Sequence, residues 1–148
     1  MNYELIQVPA LAIASVGAII DVRHRRLPNL LCLALALSAG AALALTSGLP
    51  AVPWSLLHAT IALVAGMILF RLGMIGGGDA KFYAAAACGV PLANGIELLG
   101  WTSVAGILLL AALTAVRMLS GRRLSEMRGY SMPYGVAIFL GFAATLFR

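Results

Sequence analysis

Charge is scarce in this chain. Asp, Glu, Lys and Arg make up 10% of its 148 residues, whereas a soluble domain carries about 25%. With 62% of the residues hydrophobic, the chain is expected to lie in a bilayer, where the backbone must satisfy its own hydrogen bonds as helices. Alternating apolar and polar runs are missing, which argues against a membrane β-barrel. Cysteine is limited to Cys32 and Cys88, both inside apolar runs, with no CxxC pair and no His/Cys cluster. No metal site or other cofactor is therefore expected, and the two thiols read as small buried side chains. No GxxxxGK[ST] stretch is present, so no phosphate-cradling loop is expected. The net charge of +5 does not indicate nucleic-acid binding, because the basic residues cluster in short segments between apolar runs, as membrane-orientation signals do. Residues 1–20 do not read as a signal peptide: the start is not basic, Glu4 comes early, and the basic residues follow the apolar run.

Six apolar segments are present, at roughly 5–21, 30–47, 54–72, 80–92, 96–117 and 131–147. Residues 79–119 as one helix would be about 60 Å long, twice the hydrocarbon core of about 30 Å. Pro91, Asn94 and Gly95 divide that stretch, so the fourth span is short. Charge gives an independent test of the count. With six spans, Arg23, Arg25, Arg26, Arg71, Lys81, Arg117, Arg122, Arg123 and Arg128 share one side and only Arg148 falls on the other. The loaded side is then cytoplasmic, and both termini are non-cytoplasmic. Trp54 and Trp101 fall near the outer ends of their spans, as interfacial aromatics do. The expectation is one polytopic all-α membrane domain over residues 1–148, with six transmembrane helices.

Only five acidic residues occur in the chain, and two of them stand at span ends on the same side. Asp21 ends the first span, and Asp79 opens the fourth after Gly76-Gly77-Gly78, 58 residues further on. Ionisable groups at membrane depth are costly and mark function. Two carboxylates at one depth can share a proton and activate water between them. Stepping back from Asp21 along its helix gives Ala18, Gly17, Ala14, Ala10 and Gln7, whereas Ile13, Val16, Ile19 and Ile20 lie on the other side. Small residues let membrane helices approach closely, so Asp21 is expected to face protein. The blander reading of Asp79 is a helix N-cap. Asp21 at a helix C-terminus has no such reading, because the helix dipole disfavours an anion there. The three glycines serve either as a membrane-edge turn or as backbone that pairs with an extended substrate.

These residues resemble a known family, the type IV prepilin peptidases, membrane aspartic proteases with a GxGD motif. The resemblance lies in Asp21 followed by a basic stretch and Leu27-Pro28-Asn29, then Gly76-Gly77-Gly78-Asp79-Ala80-Lys81, then Met132-Pro133-Tyr134-Gly135-Val136-Ala137. It implies cleavage, after a glycine, of the short basic leader of pilin-like precursors at the cytoplasmic face of the bacterial inner membrane. The products keep an apolar N-terminal helix and assemble into pili or secretion pseudopili. By motif, Asp21 and Asp79 are the catalytic pair, and Gly76, Gly77 and Gly78 shape the loop beside the substrate. Lys81, Pro133, Tyr134 and Gly135 support the site. Larger family members carry a CxxC-bearing cytoplasmic domain between the first two spans and also N-methylate their product. Here only Val22 to Asn29 fills that gap, so neither zinc nor methyl transfer is expected, and the compact form is similar to the peptidases of Tad/Flp pili.

On the helix-end argument, Asp79 is the candidate base and Asp21 the acid that keeps its proton. The partners expected are pilin-like precursors and membrane lipids, with no nucleic acid. His24 reads as solvated, His58 as a packed polar residue near the outer side, and Glu97 as an interfacial carboxylate. Tyr83, one turn beyond Asp79, is within reach of the site. Ala62 and Gly66 form a small-xxx-small pair suited to helix packing. Two rival functions fit less well. A small proton-coupled transporter or channel usually places its carboxylates at the midplane of internal repeats, and no repeat is visible. A non-enzymatic pilus assembly scaffold has no need of paired acids.

Overall fold

The computed structural model describes residues 3–119 and 132–147. Arg122, Arg123, Arg128 and Arg148, used above for orientation, lie outside the described residues, as does the side chain of Arg117. The described residues form six α-helices and no strand: α1 (Tyr3–His24), α2 (Asn29–Ser47), α3 (Val52–Arg71), α4 (Gly77–Ala87), α5 (Gly95–Leu119) and α6 (Tyr134–Leu146). Each falls on one of the six apolar segments. Four apolar stretches, Glu4–His24, Asn29–Ser47, Leu49–Arg71 and Leu92–Val116, are long enough to cross a membrane, and Tyr134–Leu146 is a shorter apolar helix.

The fourth helix holds the bundle together. It packs against α2, α3 and α6, and Ala80, Phe82 and Ala84 to Ala87 are all buried. Its small side chains allow close approach on every side. Gly17 of α1 faces the Phe82 ring, where an added Cβ would stand 2.6 Å from two ring carbons. Gly66 of α3 meets the Ala80 Cβ in the same way, at 2.8 Å, so the Ala62/Gly66 pair does serve packing. The anticipated faces of α1 hold in the main: Ala10, Ala14, Gly17, Ala18 and Asp21 are buried and Val16 and Ile19 exposed, whereas Ile13, expected on the outward side, packs against the core and Gln7 and Ile20 are half-buried.

At 11 residues, α4 is about 16 Å long, half of a hydrocarbon core. It therefore does not cross a bilayer alone. It ends at Cys88, Gly89 and Val90, whose N–H groups bond back to Ala85, Ala86 and Ala87 at 3.2, 3.0 and 3.1 Å. Non-helical backbone at this depth needs partners from protein, and His58 supplies one. The ring is buried, and Nδ1 lies 2.9 Å from the Val90 carbonyl oxygen. A carbonyl only accepts, so Nδ1 carries the proton. His58 is thus a packed polar residue whose role is to hold the turn that ends α4.

Candidate active site

Asp21 lies at the end of the small-residue face of α1 and is 5% exposed. The C-terminus of its own helix offers it no donor, but the start of α6 does. The Gly135 N–H donates to Asp21 Oδ2 at 2.8 Å, across a sequence separation of 114 residues. Gly135 stands in the first turn of α6, where N–H groups lack intrahelical partners and the positive helix end attracts anions. Pro133 caps that turn and is buried. A side chain at position 135 would intrude on the acid, since a Cβ there would lie 2.9 Å from Asp21 Cβ and 3.1 Å from Oδ2. Pro133, Tyr134 and Gly135 therefore start a helix against Asp21. The sequence carried a signal for this, a Pro-Tyr-Gly helix start on the same side as Asp21, but nothing in its local pattern says which residue that helix meets.

Asp79 departs from the expected geometry. The N-cap is Gly76, with φ −74° and ψ 142°, and Gly77 and Gly78 are already helical. Asp79 is therefore the third residue of α4 rather than its cap. Extended backbone that could pair with a substrate is confined to Gly76 among the three glycines. The Asp79 carboxylate folds back on Gly76, whose backbone hydrogen bond it accepts, as the acid of a capping box does. A Cβ at Gly76 would come within 2.6 Å of Asp79 Oδ2. Gly77 packs on the Phe70 ring and Gly78 on Leu27, each with room for ordinary contact at 3.4 Å. Each of the two acids thus lies against a glycine on a helix start, Asp21 against Gly135 and Asp79 against Gly76.

Asp79 precedes the apolar segment 80–92 and lies outside the apolar helices long enough to cross a membrane. Burial, and after it the Asp21 charge, push its carboxyl up to about 6, although the Gly76 bond pulls the other way. This upward push runs against the helix-end argument, which made Asp79 the more stable anion, and Asp21 has found a helix start on another helix. The geometry relates the two acids through the start of α6: Tyr134 lines a cavity with Asp79, and the next residue, Gly135, holds Asp21. Lys81, expected to support the site, has its hydrogen bond elsewhere. Its Nζ donates to Asn29 Oδ1 at 3.0 Å, tying the start of α4 to the start of α2.

Asp79, Tyr83 and Tyr134 line a cavity of about 620 Å³ that also runs along α3 and α5. His58 lies at its far end, away from the acids. No group of three His, Cys, Asp or Glu able to hold a metal occurs among the described residues. The arrangement is a pair of acids, Asp79 lining an apolar cavity and Asp21 anchored by a main-chain N–H at the start of α6. It can polarise a carbonyl and activate water.

The model of the type IV leader peptidase family matches residues 8–117, a stretch that includes both aspartates and the glycine triplet. The chain belongs to that family. Comparisons with curated proteins and with solved structures give no match.

Proposed function

We propose that this member of the type IV leader peptidase family is a membrane aspartic endopeptidase of the short Tad/Flp type. It removes the basic leader of pilin-like precursors after a glycine at the cytoplasmic face of the bacterial inner membrane. The observation that carries the reading is that the start of α6 relates two acids 58 residues apart in sequence, Gly135 holding Asp21 and Tyr134 lining a cavity with Asp79, within a chain of a peptidase family. The join between α1 and α2 is only residues 25–28, which supports the compact type without a methyl-transfer domain. On this reading the whole chain is one peptidase domain, with both ends on the non-cytoplasmic side.

The chemistry gives the two acids opposite roles. Asp21, held at Oδ2 by the Gly135 N–H, takes a proton from a water molecule. The oxygen of that water attacks the carbonyl carbon of the glycine. Asp79 gives its proton to the carbonyl oxygen as the C=O π bond opens, so the tetrahedral intermediate is neutral. Collapse breaks the C–N bond, and the leaving nitrogen takes the proton held by Asp21. A hydroxyl proton returns to Asp79. The products are a leader ending in glycine and a mature chain with a free amine.

The test is incubation of the purified protein with a synthetic precursor bearing a basic leader and a glycine junction, read by mass spectrometry. Asp21→Asn and Asp79→Asn each abolish cleavage while the protein still accumulates. Robust cleavage by either purified variant ends the aspartic-protease reading.

A further inference from the structure

The proposed reaction leaves most of the cavity beside Asp79 unused. Its shape follows from how the helices pack. On α4 lie α2, α3 and α6, whereas α5 packs on α6 and has no substantial contact with α3. The result is a slot between α3 and α5, floored by Asp79, Ala80 and Tyr83 of α4 and ended by Leu92 and Gly95. From Leu69 back to His58, its α3 wall is about 16 Å long. A cavity of about 620 Å³ drawn out over that length accepts one face of a helix. The α5 wall presents Ile96, Leu99 and Ile107, all strongly exposed.

We infer that this slot seats the apolar helix of the precursor, with the chain emerging from the helix at Asp79. The inference rests on the peptidase reading above and adds the binding surface to it. Continuity with Asp79 is what selects the occupant: the same cavity that is apolar along α3 and α5 has Asp79 and Tyr134 at the end away from His58. A substrate with a long apolar helix and a short polar leader has this same order of chemistry along its length. Tyr83 lies one turn beyond Asp79 and borders the slot. A half-buried tyrosine hydroxyl takes a hydrogen-bond partner where one is offered, and the last unwound residues of the guest offer backbone carbonyls there.

The experiment narrows the slot from both walls, with Ala62→Phe on α3 and Ser103→Phe on α5. Each raises KM for the full precursor about tenfold or more, by removing apolar burial from the guest, and leaves kcat near that of the wild type. Leu37→Phe, on an exposed position of α2 remote from the slot, leaves KM as it was. A photo-crosslinker at position 62 or 103 of the Asp21→Asn protein captures the precursor, and one at position 37 does not. If the wild-type protein cuts the precursor but both slot variants match it in KM, the slot is not the docking surface. Capture of lipid or of a second copy at position 62 or 103, with no precursor, overturns it as well. If the wild-type protein does not cut, the peptidase reading itself fails, and that outcome is separately visible.

Discussion

Gly135→Ala is a minimal change that isolates the link between α6 and Asp21. Its Cβ would stand 2.9 Å from Asp21 Cβ, 3.1 Å from Oδ2 and 3.3 Å from Cγ. Asp21 Cβ is fixed to a buried helix face and cannot swing away, so the helices must separate. Restoring an ordinary carbon–carbon contact of about 3.7 Å requires a movement of about 0.8 Å. That stretches the Gly135 N–H to Asp21 Oδ2 bond from 2.8 Å to about 3.5 Å, beyond useful range. A hydrogen bond to a charged group contributes about 1.5–3 kcal/mol. If the transition state depends on it, kcat/KM for precursor cleavage falls about 10- to 150-fold. The assay is initial-rate cleavage of the precursor by protein purified in detergent. Gly100→Ala is the control, because a Cβ at Gly100 meets nothing within 4 Å. A Gly135→Ala protein within twofold of the wild type refutes the claim that α6 positions Asp21.

Gly76→Ala presses on Asp79 directly, with a Cβ at 2.6 Å from Oδ2; it slows cleavage at least about tenfold, and an unaffected rate shows that the acid has freedom to move. The pH profile of kcat/KM has a descending limb near 6, because Asp79 acts with its proton on and loses it as pH rises through about 6. A rate that climbs through pH 6 to a plateau at about 8 contradicts Asp79 as the acid. His58→Ala leaves the Val90 carbonyl without its side-chain donor and destabilises the fold by about 1–3 kcal/mol. That loss is read as a lower thermal midpoint in detergent, and an unchanged midpoint removes His58 from the account of the α4 turn.

Much of this architecture was legible in the chain because membrane helices are local objects. The apolar segments, the break at Pro91, and the small-residue face leading to Asp21 all follow from spacing along one helix. The failures have a common cause as well. The helix-end argument treated Asp21 as an isolated C-terminal acid, yet its partner is a main-chain N–H 114 residues away. No period or propensity reports a main-chain donor from another helix. The triplet Gly76 to Gly78 suggested a loop, but two of its members join the first turn of α4, where packing on Phe70 and Leu27 overrides their weak helical preference. The bond from Lys81 to Asn29 joins residues 52 apart in sequence, beyond the reach of any local pattern. His58 was recognisable as a packed polar residue, and only the three-dimensional turn reveals what it serves.

The packing of α5 has a mechanical corollary. That helix leans chiefly on α6, and α6 is the element that grips Asp21 through Gly135. Anything that wedges α5 outward therefore tugs on the clasp at the reacting centre. Loading of a guest and alignment of the acid are geared to one lever, which spin labels on α5 and α1 would register as a correlated shift when precursor is added, whereas immobile labels would uncouple the two.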